Sequence, residues 1–343
     1  AALGVLIMAV GCLTFIPASK SGLFSVFLFA LFVLASGITI VQVVANPLIS
    51  LLGPTQTAPS RLTFAQAFNS LGTTLFPYVG SILILGSLTT IDSSTLIGPA
   101  LEAYRQQETQ IVVHTYLGLA TVLLILAIVI WLRRQRLPHL GGAQTHFLQA
   151  FTLLKLPRFA WGALCIFLYV GAEVAIGSFI VNYLMQTSTM ALAEQDAGKH
   201  VPLYWGGALI GRFIGAYLLR IVSPGKILCA AAAGSITLII VSAMTQGAIS
   251  GWALLAIGLC NSIMFPTIFT LACEGLGYRA AEGSGVICMA IVGGAIVPPL
   301  TGLLADLTDL RTALFLPALC YFVIAGFGWY THGKTTAHQR RAP

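Results

Sequence analysis

Long unbroken apolar runs alternate along the chain with short polar or basic segments. Ten such runs cover residues 1–17, 22–52, 63–87, 110–132, 158–184, 201–221, 225–245, 249–273, 281–305 and 312–331. A helix of about 20 apolar residues spans the hydrocarbon core of a bilayer, so each run predicts a transmembrane helix. Barrel strands would instead alternate apolar and polar residues in short segments. The expected fold class is therefore an all-α polytopic membrane protein. The second run exceeds one span, and Pro47 near its end predicts a kink or an end in the interface.

Composition agrees with lipid as the solvent. Apolar residues make up 57% of the chain and charged residues 8%, against about a quarter charged in soluble domains. The formal charge of +7 is positional and does not point to nucleic acid. With residue 1 on the cytoplasmic side, the inner ends and loops hold Arg61, Arg133, Arg134, Arg136, Lys155, Arg158, Arg212, Arg220, Lys226, Arg279, Lys334, Arg340 and Arg341. The outer side holds Lys20, Arg105, Lys199 and Arg311, which completes the 17 basic residues. The excess of Lys and Arg inside sets this orientation and a cytoplasmic C-terminus. Cys12, Cys165, Cys229, Cys260, Cys273, Cys288 and Cys320 all lie in apolar runs, with no C-x-x-C pair, so no disulfide framework and no metal site are expected. Ala1 to Ile16 is apolar from the first residue, without a basic stretch or an initiating Met, so the chain is expected to begin inside a longer protein.

Residues 133–157 form the one long basic loop and contain Gly141 and Gly142. They predict a cytoplasmic linker between a partial N-terminal bundle, 1–132, with four runs, and a C-terminal bundle, 158–343, with six. Internal repetition supports this division. The third run contains Gly72, Pro77 and Gly80 in a G-x-x-x-x-P-x-x-G pattern, and the ninth has Gly294, Pro299 and Gly302 in the same pattern. The run before each carries a proline, Pro47 or Pro266. Gly72 to Gly294 is 222 positions and Pro47 to Pro266 is 219. Near-equal offsets predict a parallel repeat, the architecture of major facilitator transporters, with a site at the midplane between halves.

Polar side chains inside a span are costly and mark cavities or helix contacts. Here they pair at helical spacing: Gln42 with Asn46, Gln66 with Asn69 and then Thr73, Tyr169 with Glu173, Asn261 with Phe265. Residues three or four apart share a helix face. An amide offers a donor and an acceptor side by side, as a sugar hydroxyl requires, without the cost of a buried charge. An aromatic ring such as Phe265 or Tyr169 can cover the apolar face of a pyranose. The alternative for each residue is bonding between helices with no ligand involved. Glu173 is the one acid placed deep in a span, and it fits a proton relay, a cation contact or a sugar acceptor. Arg212 fits structure or gating better than substrate binding. His114 is expected at an interface, and Glu274, Arg279 and Glu282 around an inner loop.

Four of these segments carry a resemblance. Val44–Pro54 (VANPLISLLGP) and Arg61–Gly72 (RLTFAQAFNSLG) resemble helices four and five of the fucose–proton symporter family. Phe167–Phe179 (FLYVGAEVAIGSF) and Asn261–Phe269 (NSIMFPTIF) are similar to its later helices. The match is strongest to the glucose/galactose transporter branch and runs over essentially the whole chain, from the family's third helix to its twelfth. It implies a major facilitator fold of two six-helix bundles, with about ten of twelve helices present, and sugar carried with a proton or another cation by alternating access. It also implies sugar contacts at Asn46, Gln66 and Asn69, and at Phe265, where fucose symporters have Tyr. Loss of that hydroxyl favours glucose or galactose over fucose. Gln42 stands where fucose symporters carry a titratable coupling Glu, so their proton mechanism does not transfer. Glu173 is left as the coupling candidate, with proton and sodium both open. Gly215, Arg220 and Lys226 match part of the superfamily's basic loop motif, but Leu219 stands where an acid is common.

The expected function is thus import of a hexose by cation-coupled symport at a bacterial inner membrane. Gln42, Asn46, Gln66 and Asn69 form one wall of the site, and Tyr169, Glu173, Asn261 and Phe265 the other. Arg212, Gly215, Arg220 and Lys226 are assigned to gating. The expected partners are a small sugar and membrane lipid, the expected state is monomeric, and no cofactor beyond the coupling cation is implied. The alternatives are a symporter for fucose or another sugar, a fragment that binds or senses sugar without transport, and a membrane enzyme. An enzyme would call for clustered acids, histidines or metal ligands at a helix end, which the sequence lacks.

Overall fold

The computed structural model describes residues 1–21, 23–85, 98–134 and 147–339. The core of the expected linker, 135–146 with Arg136, lies outside them, as do Arg340 and Arg341. The side chains of Pro77 and Lys334 are likewise outside the description.

Each of the ten apolar runs is helical over most of its described residues, and no strand occurs among the described residues. The first four are α1 (Ala2–Ser21), α2 (Phe24–Leu51), α3 (Ala58–Leu85) and α4 (Pro99–Arg133). A short α5 (Phe147–Ala150) precedes α6 (Pro157–Met185), α7 (Glu194–Ile221) and α8 (Pro224–Met244). The eighth run is two helices, α9 (Ala248–Asn261) and α10 (Met264–Cys273). The ninth is also two, α11 (Ala280–Ala290) and α12 (Gly293–Leu307), and in the tenth a short α13 (Leu310–Ala313) leads into α14 (Phe315–Gln339). Among the described residues eight helical segments are long and apolar enough to cross a membrane. The α3 and α7 helices are not among them, since each carries polar residues and glycines along its length. The α2 helix continues through Pro47 to Leu51 without interruption.

The chain divides into two compact units, 1–48 with 75–140, and 49–74 with 141–343. Chain order alone predicts bundles at 1–132 and 158–343, whereas this division groups 49–74 with the later helices. In the first unit α1 and α4 share a core of Val5, Ala9, Cys12, Ala120, Leu123 and Ala127. Phe15 stacks on Tyr116 with ring centroids 4.2 Å apart.

In the second unit α6 is the central helix. Gly162 lies against Ala272 of α10, and Gly171 against Val297 of α12. Small residues at such crossings let membrane helices approach closely and gain packing where no hydrophobic driving force separates helix from lipid. Cationic side chains close the helix ends. Arg61 donates to the last carbonyls of α2, Ile49 O at 3.3 Å and Ser50 O at 2.6 Å, and to Pro54 O at 2.9 Å. Arg311 donates to Ser188 O at 2.6 Å, and Arg158 to Leu271 O at 2.8 Å while pairing with Glu274. Arg279 pairs with Glu282 at 2.9 Å and reaches Gln149 O and Thr152 Oγ1, tying α5 and the turn after it to the segment between α10 and α11. Ile49, Ser50 and Leu271 stand in the last turns of α2 and α10, where a carbonyl has no N–H four residues on inside its own helix.

Candidate substrate site

The site of interest is built around the break between α9 and α10. Asn261 ends α9, and Ser262 and Ile263 form a turn before α10 starts at Met264. Pro266 explains the position of the break. Proline has no N–H, and its ring collides with the carbonyl four residues earlier, here that of Ser262. Starting a new helix at Met264 places Pro266 in a first turn, where its missing donor costs nothing.

A break inside a membrane needs other partners for its carbonyls. Two side chains from neighbouring helices supply them. The Tyr169 hydroxyl of α6 lies 3.1 Å from Asn261 O, and Arg212 Nε of α7 donates to Ser262 O at 3.1 Å. Tyr169 also lies 2.6 Å from Glu173 Oε1, one turn along the same face of α6. The Asn261 amide donates to the Tyr204 hydroxyl at 2.8 Å and its oxygen faces Ser235 Oγ at 3.5 Å. Tyr204 in turn reaches the Glu173 backbone carbonyl at 3.3 Å. Tyr321 is fully buried in the same core. One network thus joins α6, α7, α8 and α9 around the break.

The structure sorts the expected site residues. Tyr169, Glu173 and Asn261 are brought together. Tyr169 and Asn261 are almost wholly enclosed, at 1% and 0% exposure, and their polar atoms bond protein groups. They hold the break in shape. Glu173 and Phe265 are only partly buried. Phe265 stacks on Phe269 with centroids 6.3 Å apart. On α3, Asn69 Nδ2 donates to Gln66 Oε1 at 3.4 Å, and Asn69 is exposed. Gln42 and Asn46 lie in the first unit, Gln42 partly buried and Asn46 buried.

Three of the four residues assigned to gating meet α3 within the second unit. Arg212 Nη1 donates to Gln66 O at 2.9 Å and bonds Ser70 Oγ. Gly215 faces Ile263 and Thr63. Arg220 Nε reaches Ser60 Oγ at 3.3 Å, and Ser60 donates to Ala216 O at 2.6 Å. Lys226 begins α8.

Residue-type reasoning passed over Tyr204, Ser235 and Ser70. Tyr204 was within reach of it: positions 204, 208 and 212 are four apart, so Tyr204 shares a face with Arg212. Ser235 and Ser70 carried no such signal, because a serine in a membrane helix most often bonds its own preceding turn.

Known proteins resemble this chain along nearly its whole length. A glucose/galactose transporter of Brucella abortus is 44% identical over 330 residues, 95% of this chain and 76% of that protein. The L-fucose-proton symporter of Escherichia coli is 32% identical over 345 residues, 97% of this chain and 78% of that one. The crystal structure of the E. coli fucose:proton symporter superposes with a TM-score of 0.88 at 30% identity, covering 96% of this chain and 82% of that one. A family profile described as Major Facilitator Superfamily matches residues 1–291. With the helical architecture above, these likenesses establish that the chain belongs to the Major Facilitator Superfamily.

Proposed function

We propose that the protein imports a hexose, glucose or galactose, across a bacterial inner membrane by cation-coupled symport with alternating access. Its substrate is a small sugar, its surroundings are lipid, its C-terminus is cytoplasmic, and it works as a monomeric carrier rather than an enzyme. The bundles of the transport cycle are residues 1–132 and 158–343, joined by the linker at 133–157. The observation that carries the reading is the Tyr169–Glu173–Asn261 cluster at a broken helix, on a chain 44% identical to a protein named glucose/galactose transporter.

Broken membrane helices expose backbone and polar groups only where these line a site or are enclosed by protein. Glu173, partly buried and held by the Tyr169 hydroxyl, is the proposed cation-coupling group and sugar acceptor. Phe265 covers an apolar sugar face. Gln66 and Asn69 offer paired amides to hydroxyls. Tyr169 and Asn261 act by fixing Glu173 and the break. Gln42 and Asn46 carry the same amide chemistry on the first unit and are proposed as sugar contacts on that chemistry alone.

The second reading is L-fucose, favoured by the 32% relative and opposed by Phe265, which removes a hydroxyl from the aromatic contact. Uptake of labelled glucose, galactose and L-fucose into proteoliposomes, under an imposed proton or sodium gradient, tests both. The expected result is accumulation of a hexose under one gradient only, abolished in Glu173→Gln. Accumulation of fucose alone would select the second reading. A folded protein that binds sugar and moves none would be a sensor, and the symport reading would fall.

A further inference from the structure

We infer that Arg212 is a positioning residue that ties closure of α3 on α7 to the shape of the α9–α10 break. This deepens the transport reading and rests on it for the meaning of the motion, since the sequence points Arg212 to structure or gating without a partner. Three acceptors on two other elements converge on one guanidinium. Ser262 O, the carbonyl that Pro266 deprives of its helical donor, is bonded by Nε at 3.1 Å. Gln66 O on α3 is bonded by Nη1 at 2.9 Å, together with the buried Ser70 hydroxyl. A planar fork with five donors can serve all three at once, whereas a lysine ammonium presents a single point.

The surroundings leave little freedom for this side chain. Gly211, its neighbour, lies against Leu259 O and the Ser262 side chain, so α7 crosses directly on the break. Phe213 meets Phe64 of α3 edge-on, with centroids 6.1 Å apart, on the side away from the break. The seam continues one turn further to Ser60, which joins Ala216 O and Arg220. A residue that merely filled space on α7 would bond one neighbour. Arg212 bonds the substrate-side break and α3 together. With the proposed bundles 1–132 and 158–343, alternating access parts α3 from α7 at this seam. When they do, the guanidinium loses Gln66 O and Ser70, and its hold on Ser262 O is the one that remains. Occupancy of the site beside the break can therefore bias the seam, and the seam can bias the site, because both act on one side chain.

The test uses full-length protein with spin labels at Gln56, in the short 3₁₀ turn (Thr55–Thr57) before α3, and at Val222, just past α7, both exposed. Distances are measured by pulsed electron resonance in wild type, Arg212→Ala, Arg212→Lys and Ser70→Ala. The expected result is one short-distance population in wild type and an added long-distance population in Arg212→Ala. Arg212→Lys and Ser70→Ala should shift less in the same direction. In proteoliposomes active for hexose, KM should rise about tenfold in Arg212→Ala with kcat held within about twofold, as a reduced fraction of the competent state predicts. Folded Arg212→Ala with an unchanged distance distribution would overturn the inference and leave a structural arginine. Should Arg212→Ala fail to fold, Ser70→Ala and Arg212→Lys carry the same test, and unchanged distances in both overturn it. A distance shift in a protein that moves no sugar would sink the transport reading and leave the latch standing.

Discussion

Ala248–Cys273 and Gly277–Leu307, two candidate membrane spans of the second unit, are each broken near the middle, and they are broken differently. Between α9 and α10 the freed carbonyls of Asn261 and Ser262 are taken by side chains from other helices, Tyr169 and Arg212. Between α11 and α12 the backbone closes on itself. Ile291, Val292, Gly294 and Ala295 donate to Cys288 O, Met289 O, Ile291 O and Val292 O at 3.3, 3.1, 2.9 and 2.8 Å, a run of tight i→i+3 turns. The second break is self-sufficient and needs nothing from its neighbours. The first exists only while two other helices hold it. A self-closed break bends a helix permanently, whereas one held from outside can be released, so the first is where conformational change has leverage.

What the breaks share is glycine at the closest backbone approach. A Cβ at Gly293 would overlap the Phe167 carbonyl, and a Cβ at Gly258, one turn before the first break, would overlap that of Tyr204. Backbone cannot move aside as a side chain can. Gly293→Val and Gly258→Val should each cost about 3 kcal/mol or more, the upper end for overpacking a tight core, seen as loss of a monodisperse peak and a fall in Tm. If either protein kept wild-type Tm, the helices would not be in contact there.

The prolines separate the two breaks. Pro266→Ala returns an N–H that can bond Ser262 O and so compete with Arg212. Transport should fall about tenfold, or about 1.4 kcal/mol, while Tm holds or rises. Pro298→Ala returns a donor to Gly294 O in a helix that is already closed, so Tm should rise and transport stay within about twofold, proline in a helix interior being the costly state. Equal effects of the two on transport would erase the distinction.

A matched pair of tyrosines tests it at smaller scale. Tyr169→Phe removes the hydroxyl shared by Glu173 and Asn261 O, leaving a buried carbonyl short of a partner at a cost of about 1–2 kcal/mol. Tyr183, also wholly buried, lies 2.9 Å from Ser242 O and 3.0 Å from Ser250 Oγ, in a hydroxyl cluster that joins α6 to the α8–α9 turn. Tyr183→Phe should lower Tm by a similar amount but leave the sugar KM unchanged, whereas Tyr169→Phe should change both. Uptake kinetics beside thermal unfolding decide the matter.

The helices themselves were legible in the sequence because lipid leaves apolar runs no alternative. Each of the ten runs is mostly helical over its described residues, and the i,i+4 pair Tyr169 and Glu173 does form one face. Where a helix would break was less legible. The sequence pattern pairs Pro47 with Pro266, yet α2 runs on through Pro47 while the eighth run splits before Pro266. Proline states which bond is missing, not what replaces it. The replacement at Pro266 comes from Arg212, about 50 residues away in sequence along a different helix, and no local pattern encodes that meeting. Asn261 was readable as a polar residue in a span, but its enclosure by Tyr204 and Ser235 depends on three helices converging.

The smallest expected effect concerns a helix end closed by neither device. Asp309 caps the last span, its carboxylate accepting from Arg311 N at 2.8 Å, Thr312 N at 3.0 Å and the Thr312 hydroxyl at 2.6 Å. The Thr312 side chain, then its backbone N–H, holds the Asp309 carboxyl below the usual aspartate range. A lowered folded pKa stabilises the fold above the ordinary value, about 3.9, and that contribution is lost as pH falls through the lower folded value. Asp309→Ala should therefore cost up to about 1 kcal/mol at pH 6, and its Tm gap to wild type should narrow toward pH 3. Asp309→Asn keeps an acceptor and removes the charge, so it should retain most of the cap at pH 6 and show none of the narrowing. A gap that stayed constant for Asp309→Ala across that range would mean the cap works through shape alone, and that this helix end, like the α11–α12 break, is closed without charge.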